Sequence, residues 1–104
     1  MEIYPPLPVN IGKRRHIKDI DGDDKTFTVL DEISFLQSTY KSKAIYLQRI
    51  QFEDGRIEFR LGYYILGKKP KAFGQWVWGQ FCTMLPSEDF CKAYEMARQK
   101  GWIN

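Results

Sequence analysis

The run "RIEFRLGYYIL", residues 56–66, alternates without a break. Ile57, Phe59, Leu61, Tyr63 and Ile65 fall on one side, and Arg56, Glu58, Arg60, Gly62 and Tyr64 on the other. Successive side chains of a strand point to opposite faces, so this period of two predicts an extended strand with one apolar and one largely polar face. The preceding run "AIYLQRIQF" is also rich in β-formers, and Asp54-Gly55 between the two is a hairpin turn signal. Gly62 inside the second run predicts a bulge, a twist or a close neighbour above it.

The remaining segments are read around this hairpin. "GKKPKAFG" is a turn bounded by Gly67 and Gly74, and "QWVWGQFCTML", Gln75 to Leu85, reads as a third strand that is apolar on both sides. If that strand is regular, Trp76 and Trp78 share one face, beside Arg60 and Tyr64, while Val77 and Phe81 lie under the helices. "TFTVLDEISFLQSTYKSK" reads as a helix, with Leu30, Ile33, Leu36 or Phe35, and Tyr40 at three-and-four spacing. "PSEDFCKAYEMARQKGW" reads as a second helix: Ser87 as N-cap, Glu88 and Asp89 in the first turn, and Phe90, Ala93, Tyr94 and Ala97 as the buried stripe. Gly101 suits the position just past its end, with Trp102 folding back as a structural plug. Residues 1–25, with "YPPLP", a basic "GKRRHIK" and an acidic "DIDGDD", read as an irregular arm.

The predicted fold class is therefore α+β. A three-stranded antiparallel sheet, with room for a fourth strand from the N-terminal arm, carries two helices on the Ile57–Ile65 face in the order α-β-β-β-α. The 104 residues suffice for one domain, an arm over 1–25 and a core over 26–104.

Composition excludes several chemistries. No apolar run approaches the length of a bilayer span. The N-terminus lacks the pattern of a signal peptide, which points to the cytoplasm. Two cysteines, Cys82 and Cys91, then read as reduced, buried thiols. With His16 the only histidine, neither a zinc site nor a nucleophile–base set can be assembled, and no cofactor is implied. In "DIDGDD" the glycine stands fourth when Asp19 is counted as first, and Leu30 falls where a calcium loop needs its bidentate Glu.

Net charge is +3, unevenly placed: residues 1–40 carry five Lys/Arg against seven Asp/Glu, and residues 41–104 carry eleven against six. In the basic part, Arg56, Arg60 and Tyr64 share a strand face. Lys68, Lys69 and Lys71 crown the adjacent loop, and Trp76 and Trp78 follow. Cations neutralise phosphates and aromatic faces stack on unpaired bases, so this set reads as a contact surface for single-stranded nucleic acid. A second reading is a protein-interaction or homodimerisation module, because two helices leave apolar sheet uncovered. A third is a metal-dependent nuclease using Asp54 and Glu58, although its pattern ends in Arg60 where a lysine belongs.

The helix–strands–helix order is similar to that of double-stranded RNA-binding domains. Those present lysines at the start of the last helix, where this chain has Ser87-Glu88-Asp89. The order is also similar to that of the single-strand-binding transcription-coactivator fold. The run "YLQRIQFEDGRIEFRLGYYILGKKP", followed by "WVWGQF", "PSEDF" and "GW", resembles a small prokaryotic domain family of uncharacterised function. That resemblance spans Tyr46 to Trp102 and carries no site residues over.

Overall fold

A computed structural model describes residues 4–103. Met1, Glu2 and Ile3 of the expected arm lie outside the described residues. Five strands form one antiparallel meander: β1 (Arg14–Lys18), β2 (Asp24–Gln37), β3 (Tyr40–Phe52), β4 (Ile57–Leu66) and β5 (Trp76–Trp78), each paired with the next. The sheet curls into a half-barrel. Among the described residues one α-helix, α1 (Ser87–Gln99), follows, and a single 3-10 turn (Pro70–Ala72) lies in the β4–β5 loop.

The β3–β4 hairpin forms as its alternation requires, with Gly55 at φ +91° in the turn. Gly62 earns its place by close approach: a Cβ there would collide with the Trp78 ring.

The predicted three strands and two helices are not what forms. The segment read as the first helix is most of β2, followed by a tight turn into β3. Two physical causes explain the misreading. A register shift between Val29 and Asp31 inserts one extra residue, so the period of two breaks and Leu30, Ile33 and Leu36 acquire helix-like spacing. The strand is also covered on both sides, which makes it apolar on both. Its Thr26, Phe27, Thr28, Val29, Ile33 and Phe35 are β-formers throughout.

The arm supplies the further strand for which the sequence left room. Arg14–Lys18 pairs with the start of β2, and the acidic turn closes that hairpin.

The third predicted strand is shorter than Gln75–Leu85. Pairing stops at Trp78, with a last hydrogen bond from the Gly79 N–H to the Tyr63 carbonyl at 2.8 Å. The chain must then cross to the β2–β3 turn, where α1 starts beside Ser38. The Asp89 carboxylate accepts the Ser38 N–H there at 2.9 Å. On the way, Lys43 Nζ donates to the Met84 carbonyl. Phe81 is consequently 74% exposed and lies under no helix.

Residues directly opposite in the ladder share a face, so the sheet has two sides of different character. On one, Ile33, Leu47 and Leu61 are in register, as are Asp31, Arg49 and Phe59. Helix α1 lies on this side, burying Asp89, Ala93 and Ala97. The buried stripe is thus these three; Phe90 and Tyr94, expected inside, are 55% and 48% exposed. Small residues at 93 and 97 let the helix approach closely, and the larger side chains spread to its flanks. Pro86 occupies the N-cap position, without a side-chain cap, and Ser87 is already helical. The C-terminal end forms as predicted: Gly101 has φ +77°, and the Trp102 N–H bonds the Ala97 carbonyl at 3.0 Å. The Trp102 ring packs on Phe59 at 5.8 Å between centroids.

On the other side, Phe27, Val29, Ile50 and Phe52 form one apolar cluster. Tyr46 is fully buried beside it in the ladder. The N-terminal arm crosses this face. Prolines cannot donate to a strand ladder, so the arm binds through its carbonyls. The Pro5 carbonyl accepts from Trp76 Nε1 at 3.0 Å, and the Pro8 carbonyl from the Tyr46 hydroxyl at 2.6 Å.

No helix among the described residues is long and apolar enough to cross a membrane.

Candidate functional site

On the arm-covered face, the buried row is interrupted by polar groups in register: Glu32 opposite Gln48, and Gln48 opposite Arg60. Gln48 is 1% exposed, and Asn10 of the arm is 3% exposed. Buried polar groups need partners, and the Glu32 carboxylate supplies them. It accepts from the Asn10 backbone N–H at 2.7 Å, the Asn10 side-chain amide at 3.3 Å and the Gln48 amide at 3.0 Å.

This fixes which way each amide points. Their nitrogens face Glu32, so their oxygens face outward. Asn10 Oδ1 accepts from Arg15 Nη2 at 3.1 Å and from the Tyr64 hydroxyl at 3.2 Å. Gln48 Oε1 accepts from Arg60 Nη1 at 3.4 Å, a weak contact. The carboxylate is thereby separated from both guanidiniums by a layer of neutral amide. Asn10, Arg15, Gln48, Arg60, Tyr64 and Trp78 line a cavity of about 230 Å³.

Arg60 lies with its guanidinium carbon 4.4 Å from the centre of the Trp78 ring and 5.2 Å from that of Phe27. Trp78 in turn packs edge-on against Tyr64 at 5.0 Å and Tyr46 at 6.2 Å. Burial, and after it the positive charge of Arg15, push the Arg60 guanidinium below its ordinary range. Among the described residues, ion pairs engage Arg14, Lys18, Lys25, Arg56, Arg98 and Lys100, and neither Arg15 nor Arg60.

Of the eight residues singled out from sequence, this brings together Arg60, Tyr64 and Trp78. Trp76 is on the same face but is held by the arm. Arg56 lies just before β4, paired with Glu58 at 2.7 Å and stacked over Phe52 at 4.6 Å. Lys68, Lys69 and Lys71 are exposed in the loop beyond the opposite end of β4. At ~3.4 Å per residue, that loop is roughly 20–30 Å along the strand from Arg60. Lys68 lies 5.7 Å from the Tyr40 ring centre, and a hydrogen bond to Tyr40 raises its pKa. Asn10, Arg15, Glu32 and Gln48 were not picked out from sequence. The signal that could have found Gln48 is its place in the alternating row Ala44, Tyr46, Gln48, Ile50, where an amide interrupts an apolar face.

The other carboxylates have their own partners. Asp54 Oδ1 accepts the Arg56 N–H at 2.9 Å in the hairpin turn, and Glu58 is paired with Arg56. Asp19, Asp21 and Asp23 bring carboxylate oxygens within 4.8 Å of one another. Asp19 Oδ1 accepts the N–H groups of Asp21 and Asp23 at 3.0 and 2.9 Å, closing the turn. Cys82 and Cys91 are free thiols, and both are exposed where burial was expected. Cys82 lies on the segment that leaves the sheet, and Cys91 on a side of α1 away from its buried stripe.

On the helix side, Leu47, Phe59, Leu61, Phe90, Ala93, Tyr94, Ala97 and Ile103 line an apolar groove of about 350 Å³. No protein-family model, curated protein or solved structure matches the chain.

Proposed function

We propose that the protein is a non-enzymatic module that contacts single-stranded nucleic acid through its arm-covered face and the Lys68–Lys71 loop. The observation that carries this reading is the pair Arg15 and Arg60: two guanidiniums beside an aromatic wall, with no carboxylate ion-paired to either among the described residues. A guanidinium desolvated without a counter-charge is costly, and a phosphate oxygen supplies that charge with matching geometry. The exposed lysines of the β4–β5 loop extend the cationic track. The aromatic contribution differs from a flat stacking platform. Trp78 is flanked by Arg60, Tyr46 and Tyr64, so it holds the cation in place more than it offers a free face.

Titration of the tryptophan fluorescence with short single-stranded oligonucleotides tests the reading. Binding is strongest at low salt and weakens linearly in log–log form as salt rises, because neutralised phosphates release counterions. Replacing Lys68, Lys69 and Lys71 together by alanine lowers the salt slope. Absence of binding at the lowest salt defeats the proposal.

A specific observation favours the second reading, a protein-interaction or homodimer module. Phe59, Leu61, Phe90 and Tyr94 are 45%, 40%, 55% and 48% exposed around one apolar groove. Contiguous apolar surface of this kind is a partner-contact signature. Sedimentation across a concentration series separates the readings: a monomer at high concentration removes the homodimer.

A further inference from the structure

The pocket between Arg15 and Arg60 points to a narrower ligand than a polyanion at large. We infer that it is a site for a phosphomonoester, the doubly charged phosphate at the end of a strand, as opposed to the singly charged phosphodiesters along it. Its dependence on the proposed function is limited to what carries the phosphate.

The charge count comes first. Arg15 and Arg60 face one cavity, and neither is ion-paired among the described residues. A terminal phosphate carries about −1.5 to −2 charges near neutrality, an internal phosphodiester about −1. Two guanidiniums match the first. Each has five N–H donors in a planar fork suited to phosphate oxygens; Arg15 gives one to Asn10 and one, weakly, to the Arg14 carbonyl, and Arg60 gives one to Gln48, which leaves donors on both for a ligand.

Pre-organisation comes second. Asn10 and Gln48 are almost fully buried and are oriented by Glu32 behind them. Arg60 is clamped over Trp78 and Phe27. The guanidiniums are therefore positioned before a ligand arrives, by groups that do not cancel their charge. The Tyr64 hydroxyl lines the same cavity.

Shape comes third. At about 230 Å³ the cavity is smaller than sites for drug-sized ligands, which run from about 300 Å³ upward. It has room for a phosphate and not for a base and sugar with it. Asn10 from the arm, Arg15 from the edge strand β1 and Gln48, Arg60, Tyr64 and Trp78 from the inner strands and β5 line it. A cavity of that size suits a chain end. A phosphodiester must leave the pocket along two ester bonds.

The test uses the full chain and four probes: one single-stranded oligonucleotide bare, with a 5′ phosphate or with a 3′ phosphate, and inorganic phosphate alone. The expected result is binding tighter by about ten-fold or more for at least one phosphorylated form, with inorganic phosphate competing away that advantage. Arg15→Gln abolishes the advantage. Arg60→Lys, which keeps the charge and the stem over Trp78 but loses the fork, reduces it while leaving the unfolding midpoint near that of the parent. The triple alanine variant at Lys68, Lys69 and Lys71 weakens all oligonucleotides alike and preserves the ratio. Equal affinity for bare and phosphorylated strands overturns the phosphomonoester site and leaves the nucleic-acid reading standing. If no oligonucleotide binds but inorganic phosphate shifts the Arg15 and Arg60 side-chain resonances, the pocket stands and the nucleic-acid reading falls. If no probe has any effect, both fall.

Discussion

The two faces of this sheet are covered by different means. On one, an α-helix is packed through apolar and small residues, with Ala93 and Ala97 buried against it and a ring of half-exposed Phe59, Leu61, Phe90 and Tyr94 left at its flank. On the other, a proline-containing arm is fastened by hydrogen bonds, to Trp76, Tyr46 and Glu32, and the centre of the face is polar. Apolar cover needs only area and tolerates a loose fit at the edge. Polar cover works only if every buried donor and acceptor is matched, since an unmatched one is costly. On the arm-covered face the partners match around Glu32, Asn10 and Gln48, while the two guanidiniums bond only neutral acceptors among the described residues. The charge left over there is the feature on which the proposed function rests.

Substitutions that test this contrast should rank by how little freedom each face leaves. Gly62→Val puts a Cβ into the Trp78 ring, between two packed strands. It is expected to cost about 3 kcal/mol, read as a lower denaturation midpoint at unchanged slope. Glu32→Ala strips the acceptor from two buried amides and is expected to cost about 2–3 kcal/mol. It also releases Asn10 and Gln48 to rotate, so oligonucleotide affinity should fall with stability. Unaltered affinity would show that Glu32 does not position the arginines.

Tyr46→Phe removes the arm's hydrogen bond at Pro8 and is expected to cost about 1 kcal/mol. The same phenol gives a pH signature. Burial first, and the Glu32 charge second, raise its pKa well above the ordinary 10.0. Below that value the group is protonated whether the chain is folded or not, and its contribution is intact. Above it the unfolded chain ionises first, so stability falls as pH rises. An alkaline titration of phenolate absorbance should therefore show a tyrosine that ionises only on unfolding, missing in the Tyr46→Phe variant. The smallest effect belongs to the opposite face: Leu61→Thr, at a half-exposed position of the groove, should cost about 0.5 kcal/mol. A cost there comparable with that of Glu32→Ala would mean that the groove is not the loose edge described.

What could be read from the sequence follows the range of the interactions. The β3–β4 hairpin, the close approach at Gly62 and the C-terminal turn of α1 depend on residues near one another in the chain or on strict alternation. They were legible. One bulge at Leu30 gives a strand the spacing of a helix, and along α1 apolar spacing alone does not tell the buried Ala93 and Ala97 from the half-exposed Phe90 and Tyr94 beside them. Of the candidate site, Arg60, Tyr64 and Trp78 could be found because two share a strand and the third belongs to its neighbour. Asn10, Arg15 and Glu32 could not. They come from the arm, β1 and the far side of a bulge, and only the folded ladder brings them to Gln48.

The most direct measurement is the pattern of side-chain shifts when a single-stranded oligonucleotide is titrated at low salt. The arginine Nε–H and tryptophan indole N–H resonances and the methyl groups of Leu47 and Leu61 are followed together. The proposed function requires the Arg15, Arg60 and Trp78 signals to move in step with binding while the Leu47 and Leu61 methyls stay still. Movement confined to the groove methyls, or a titration in which Arg15 and Arg60 are silent, contradicts it.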